Sequence, residues 1–155
     1  MNMANIYRDL PNALIGIAGV HFVVSQLTLR GLVALPTIRN TGGIDILVSE
    51  LDGSNQAFLQ VKTSLKKVNF WPTPRPEKCL RGPRSFYVFL RYLTKEERFE
   101  AFLESGPKVA EQVGRNFQET ARLKQKEFPC WKLPSSNAEI QELRKNWGEW
   151  RPPSG

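Results

Sequence analysis

The segment that most constrains the fold is GGIDILVSELDGSNQAFLQVKTS, residues 42–64. It contains two apolar runs, at 44–49 and about 57–63, separated by turn residues around Asp52 and Gly53. Asp-Gly between two apolar runs is a strong hairpin signal. The segment therefore predicts two antiparallel strands joined by a tight turn.

Three polar residues interrupt these apolar runs: Asp45 in the first, and Gln60 and Lys62 in the second. Side chains alternate between the two faces of a strand, so Gln60 and Lys62 share a face. A turn centred between Asp52 and Gly53 places Asp45 opposite Gln60, with Lys62 diagonally beside them. A turn centred on Gly53 alone shifts the register by one residue and separates the three side chains.

A carboxylate, an amide oxygen and an ammonium on one sheet face suggest metal-assisted chemistry. Asp45, the Gln60 side chain and the Val61 carbonyl are oxygen donors of the kind that Mg²⁺ prefers. Lys62 could orient an attacking water or stabilise charge on a phosphate. The alternative is an Asp45–Lys62 ion pair at a sheet edge, with Gln60 solvated.

The remaining pattern predicts a helix over residues 11–30 that Gly31 ends, and then a short strand over 32–36 that Pro36 ends or places at an edge. Further elements are predicted as a strand over 85–91, a strand or helix over 99–104, a short helix over 106–113, and a closing helix with Asn137 as N-cap. Residues 114–136 give no clear pattern. This order predicts an α+β domain with a mixed sheet. We expect a single domain over 1–155, with its core at about 11–113 and a basic linker and C-terminal helix over 114–150.

The chain is basic, with 22 Lys and Arg against 15 Asp and Glu, a net charge of +7. Residues 62–91 contain eight basic residues and a single acid, Glu77, an excess equal to that of the whole chain. Such a segment suits phosphate contact and base stacking. We therefore predict DNA or RNA as a partner. The predicted contacts are Lys62, Lys66, Lys67, Trp71 and Arg75. The alternative is a solvated loop with Trp71 tucked into the core.

Cys79 and Cys130 are the only cysteines and form no CxxC pair, which argues against a disulfide framework or a zinc site. No basic stretch followed by an apolar run opens the chain, and no apolar run of about 18 residues is evident in the sequence. The sequence therefore predicts a soluble cytoplasmic protein without a membrane segment.

The string AGVHFVVSQLTLRGLVALPTIRNTGGIDILV, followed by FLQVKTS, resembles the PD-(D/E)xK nuclease superfamily, and within it a bacterial group of small proteins. Their pattern is a helix, a Gly-led turn, a strand, an Asn-Thr-x-Gly-x-Asp segment and a Gln-Val-Lys-Thr strand. The resemblance covers residues 18–64 and extends more weakly through 86–90 and 99–113.

The resemblance implies a restriction-endonuclease-like core, in which a central mixed sheet is flanked by helices. It also implies Mg²⁺-dependent cleavage of phosphodiester bonds in a nucleic acid. By position, Asp45 is the metal-binding acid, Gln60 occupies the second-carboxylate position and Lys62 is the motif lysine, so these three are the candidate catalytic residues. Asp45, Gln60 and Val61 are the candidate metal ligands.

The sequence departs from that pattern at two places. Gln60 is an amide where the superfamily has Asp or Glu, although QxK variants are part of its range. Val20 follows Gly19 where the first helix of the family has a Glu, and the next candidate, Gln26, is also an amide. One carboxylate holds Mg²⁺ weakly, because the attraction comes mainly from charged ligands. Three functions therefore stay open: a Mg²⁺-dependent nuclease, a nucleic-acid-binding protein that does not cut, and a homodimeric interaction subunit.

Two further residues lie near the predicted site. His21 is the only histidine, and it is either a base or ligand at the site or a packed or partly exposed helix residue. Glu50 lies near the turn and is predicted to face the other side of the sheet.

Overall fold

The computed structural model describes residues 7, 9–123, 126 and 128–154, with the backbone alone at 39–41. The helices and strands are α1 (Asn12–Leu29), β1 (Val33–Thr41), β2 (Ile44–Ser49), β3 (Ala57–Ser64), β4 (Phe70–Pro72), a 3₁₀ turn (Pro76–Lys78), β5 (Ser85–Leu93), β6 (Arg98–Ser105), α2 (Gly106–Arg122), β7 (Cys130–Lys132) and α3 (Asn137–Glu149).

Five strands form the main sheet in the order β1-β2-β3-β5-β6. Neighbouring strands are antiparallel except β3 and β5, which are parallel. A parallel pair needs a connection that returns the chain to the starting edge, and residues 65–84 provide it. The predicted α+β fold, with a central mixed sheet flanked by helices, is confirmed.

Helix α1 packs on one face of this sheet and ends where predicted, with Gly31 at φ +79°. A Cβ added at Gly19 would lie 1.9 Å from Thr63 Oγ1, so only glycine permits this approach of the helix to β3. By length and composition, α1 is also apolar enough to cross a membrane, as are many core helices and signal sequences. No helix of the described residues other than α1 meets that criterion.

Two hydrophobic cores lie on opposite faces of the sheet, because successive residues of β3 and β5 point in opposite directions. One core joins α1 and the end of α3 to the sheet and includes Val61, Val88, Trp147 and Trp150. The other joins α2 and the small β4–β7 sheet and includes residues such as Trp131, which stacks on Phe89 at 3.9 Å between ring centroids.

Several boundaries differ from the predictions. Strand β1 continues beyond Pro36, which it accommodates because β1 is the edge strand of the sheet. Residues 98–105 form a strand, and α2 is longer than predicted, so the unassigned region 114–136 contains its second half and β7. The N-cap of α3 is Ser136, not Asn137, since the Ser136 hydroxyl accepts a hydrogen bond from the Glu139 amide.

Candidate functional site

The hairpin register brings the predicted site residues together. Ile46 pairs with Leu59 and Val48 with Ala57, which is the register expected for a turn centred between Asp52 and Gly53. The connection itself is longer than a tight turn, since β2 ends at Ser49 and β3 begins at Ala57. The predicted register is thus confirmed although the predicted loop length is wrong.

Asp45 lies at the point where the β2–β3 ladder stops. Its Oδ2 accepts a hydrogen bond from the backbone amide of Val61 at 2.7 Å. If the β2–β3 ladder continued, a backbone carbonyl of β2 would accept this hydrogen bond, so the carboxylate takes the place of that carbonyl. Burial raises the pKa of Asp45, while the Val61 amide and the positive charge of Lys62 oppose that rise. The Asp45 carboxylate is therefore partly desolvated and is bonded to β3 through the Val61 amide.

Gln60 is buried, with 3% of its surface exposed. A Cβ at Gly43 would lie 3.5 Å from Gln60 Nε2, so the amide sits under the turn between β1 and β2. The alternative of a solvated Gln60 is wrong.

Lys62 is half-buried on the same face of β3 as Gln60. Burial lowers the pKa of Lys62, and the nearby charges of Asp45 and Cys79 partly oppose this. Among the ion pairs of the described residues, none joins Lys62 to Asp45. The structure therefore does not contain the Asp45–Lys62 ion pair that is the alternative interpretation of these residues.

Two residues beside Lys62 escaped sequence reasoning. Cys79 is buried, and Tyr87 is directly paired with Gln60 across the parallel β3–β5 ladder. The Tyr87 hydroxyl accepts a hydrogen bond from the Leu80 amide at 3.0 Å, and burial raises the pKa of this phenol. Cys79 and Tyr87 come close to Lys62 because β3 and β5 pair in parallel, and no local sequence pattern predicts that pairing.

A groove of about 300 Å³ lies between α1 and the strands β1 and β2. Asp45 and Val61 line one side, and Val20 and His21 line the other. His21 is exposed, so it is not a packed core residue. The structure therefore places the only histidine and the candidate acid on the walls of one groove.

The residues present do not fit a Mg²⁺ site. Among the described residues, no group of three or more His, Cys, Asp or Glu side chains could hold a metal ion. Asp45 contributes the single carboxylate and already uses one oxygen on Val61, while Gln60 is buried beneath Gly43. The ammonium of Lys62 adds a repulsive charge. A hard divalent cation needs several oxygen ligands, most of them anionic or water.

The segment between β3 and β5, residues 65–84, is the basic connection. It carries six basic residues and one acid. Five of the six basic side chains are exposed: Lys66, Lys67, Arg75, Lys78 and Arg81. None of the ion pairs among the described residues involves Lys66, Lys67, Lys78 or Arg81. The connection therefore carries an excess of exposed positive charge, with Glu77 as its single acid.

One predicted nucleic-acid contact, Trp71, and one further residue of the basic segment, Arg91, belong to the core instead. Trp71 is 1% exposed, and its Nε1 donates to the Leu90 carbonyl at 2.8 Å, so the prediction that a base stacks on it is wrong. Arg91, counted in the basic segment, is 6% exposed and paired with Glu100.

Glu50 is predicted to face away from the candidate site. It forms an ion pair with Arg151 and not with a residue of that site, in agreement with the prediction.

Fold and site together define a class: an α+β protein with a mixed five-stranded sheet flanked by helices, whose candidate site contains one acid beside a basic connection. No family model matches the chain, and comparison with curated proteins gives no significant match. Among solved structures, the chain is similar to a bacterial homing endonuclease, I-Ssp6803I, at 12% sequence identity and a TM-score of 0.44. That similarity covers 92% of this chain and 82% of the other. At this score the likeness carries no functional conclusion.

Proposed function

We propose that this protein binds a nucleic acid, DNA or RNA, through the phosphate backbone, and that the basic connection is the binding surface. The observation that carries the proposal is the set of exposed cations on residues 65–84. Of these, Lys66, Lys67, Lys78 and Arg81 take part in none of the ion pairs among the described residues. Cations that neutralise phosphates release condensed counterions, which supplies most of the sequence-independent affinity for nucleic acids.

The basic connection is fixed to the fold at several points. Arg91 donates to the Val68 carbonyl and to Asn69 Oδ1, at 3.0 and 3.1 Å. The Trp71 indole bonds to β5, and β4 pairs with β7. Because its backbone is held in place, little ordering of the connection opposes binding.

The cations at the two ends of the connection are separated by the length of β3. Lys66 and Lys67 follow the end of β3, whereas Arg84 bonds to Gln56 immediately before its start. A strand of eight residues is about 26 Å long. That distance corresponds to roughly seven or eight steps of a double helix at 3.4 Å each.

Lys62 extends this surface toward the candidate site, where it would add a cation near the bound phosphates. Metal-dependent hydrolysis by Asp45, Gln60 and Lys62 stays a prediction of the sequence resemblance. The donor set argues against it, so binding without metal-dependent cleavage is the function that the geometry supports best.

The test is fluorescence anisotropy of labelled duplex DNA and single-stranded RNA at several salt concentrations. We expect the double variant Lys66→Gln/Lys67→Gln to weaken binding roughly tenfold and to reduce the salt slope by about two. The control Lys108→Gln/Lys145→Gln removes the same charge from exposed positions on α2 and α3 and should change little. Equal losses in both variants would show attraction to net charge alone and reject the proposed surface.

The same probes distinguish binding from cleavage. Incubation with Mg²⁺ or Mn²⁺ followed by gel electrophoresis should leave them intact. Cleavage that is lost in both Asp45→Asn and Lys62→Met would contradict the binding-only proposal and establish the nuclease instead.

A further inference from the structure

Helix α1 presents an uncharged face to solvent. Its 18 residues include no Asp, Glu, Lys or Arg, and its buried residues, Gly19, Val23 and Leu27, lie along one side. The opposite side is formed by exposed residues at helical spacing: Leu14, Ile17, Ala18, His21, Ser25, Thr28 and Leu29. Leu14 and Ile17 are 51% and 53% exposed, which is high for large apolar side chains on adjacent turns.

Bulky and small residues of this face are placed so that its two halves are complementary to each other. Leu14 and Ile17 are bulky residues in the N-terminal half, and Ser25 and Thr28 are their small counterparts in the C-terminal half. The bulky Leu29 at one end has the small Ala13 as its counterpart at the other. In an antiparallel pair of identical helices centred on His21, Leu14 lies opposite Thr28 and Ile17 lies opposite Ser25 of the other copy. Bulky side chains then fit against small ones, as helix packing requires.

We propose that α1 is a homodimer interface, at which a second copy of this chain packs its own α1 antiparallel about a two-fold axis near His21. An isologous contact needs a surface that is complementary to itself, and the size pattern of this face meets that requirement. This interface is independent of nucleic-acid binding.

Charge favours a second copy as the occupant. Each chain carries a net charge of +7, so most surfaces of two copies repel one another. The face of α1 is uncharged and lies on the side of the sheet opposite the second core, over which the basic connection runs. Two copies can therefore meet at α1 while both basic connections stay exposed.

A lipid surface fits this face less well. Helices that lie on membranes are rich in Lys and Arg beside the apolar face, and α1 has neither. Polar His21, Ser25 and Thr28 run along the centre of the exposed face, where a bilayer requires apolar side chains. Gly19 also holds α1 against Thr63 of β3, so the helix cannot insert across a bilayer without losing its packing on the sheet.

The size of the face indicates a weak dimer. A helix of 18 residues is about 27 Å long and about 10 Å wide, a contact of about 270 Å² per copy, which is well below the roughly 800 Å² per partner of a standard specific interface. We therefore expect dissociation at micromolar concentrations. Ile17 and His21 also line the groove beside Asp45, so the second helix would cover one side of that groove.

Sedimentation velocity across a micromolar concentration series tests the dimer. The wild-type protein should approach twice the chain mass of 17.7 kDa. Leu14→Glu should weaken the dimer at least tenfold, because it places a charge in the seam. The matched control Leu123→Glu makes the same change at a residue of equal exposure (52%) just after α2 and should leave the dimer intact. A monomeric wild type, or a dimer insensitive to Leu14→Glu, would overturn the proposal.

Oxidative cross-linking tests the two-fold axis without depending on Leu14→Glu. His21→Cys should form a disulfide-linked dimer, whereas Lys145→Cys, exposed on α3, should not; the native Cys79 and Cys130 are buried. Equal cross-linking of both variants would reject the axis. Flotation with neutral and anionic vesicles completes the test, because vesicle binding by a protein that stays monomeric would assign the face to lipid.

Discussion

Two polar clusters lie on the main sheet, and they differ in how completely their charges are paired. The arginine cluster consists of Arg91, Glu100 and Arg144. Arg91 bonds to one carboxylate oxygen of Glu100, and Arg144 bonds to the other at 2.7 Å. Burial alone would raise the pKa of Glu100, but the hydrogen bond and charge of Arg91, together with Arg144, lower it overall.

In the candidate site of Asp45, Gln60 and Lys62, the charges are not paired in this way. Burial raises the pKa of Asp45 and lowers that of Lys62, so desolvation works against the charged form of both residues. A buried charge that is fully paired is explained by the fold. A half-buried pair of charges that costs stability requires another explanation, and contact with a ligand is the usual one.

The largest expected effect is the loss of the arginine cluster. Arg91→Met should lower the free energy of unfolding by about 3–5 kcal/mol, because it leaves Glu100 with one fewer buried partner and releases Val68 and Asn69. The control is Arg151→Met, which breaks the exposed pair with Glu50 and should cost less than about 1 kcal/mol. Urea denaturation measures both. Similar costs would remove the distinction between buried and exposed pairs.

The second effect concerns the acceptor role of Asp45. Asp45→Leu should cost about 1–3 kcal/mol, because the Val61 amide loses its partner. Asp45→Asn keeps an acceptor oxygen at the same place and should cost less. Thermal denaturation of the two variants separates the hydrogen bond from the charge; an Asn variant as unstable as the Leu variant would show that the charge itself holds the strand.

The third effect has the opposite sign. Lys62→Met should raise the free energy of unfolding by about 1 kcal/mol at neutral pH, because it removes a desolvated charge without breaking an ion pair. The same variant should bind nucleic acid less tightly, as the proposed surface requires. A loss of stability comparable with that of Arg91→Met would instead make Lys62 a structural residue.

The smallest effect is the response to metal. For a site weaker than about 10 mM, adding 10 mM Mg²⁺ stabilises the fold by at most about 0.4 kcal/mol, so the melting temperature should barely move. Gln60→Glu supplies a second carboxylate and should increase the shift with Mn²⁺. A clear metal-induced shift in the wild type, absent in Asp45→Asn, would contradict the donor-set argument.

The sequence was most informative where the physical signal is local. The limits of α1, β2 and β3 follow from hydrophobic periodicity and from glycines that end elements, and the Asp-Gly signal predicted the correct register. The register is correct although the loop is longer than predicted, because the buried residues of β2 and β3 fix the alignment of the two strands independently of the turn.

The misjudged residues depend on distant parts of the chain. Trp71 looked like an exposed aromatic in a proline-rich loop, but β7, some 60 residues further on, pairs with its strand and encloses it. Arg91 looked like one more surface cation, yet α3 and β6 supply its cluster. Loop composition gives no indication of such pairings.

By itself, the sequence determined the helix and hairpin, the basic excess of residues 62–91, and the shared face of Gln60 and Lys62, because these depend on spacing and composition. The tertiary structure decided which cations are exposed and which are paired. It also decided that Gln60 lies beneath a turn and that His21 lines the groove of Asp45. Within the part of the chain that the structure describes, it leaves one face of α1 exposed. Those outcomes depend on which elements pack against each face of the sheet, and that packing is set by contacts between residues far apart in the chain.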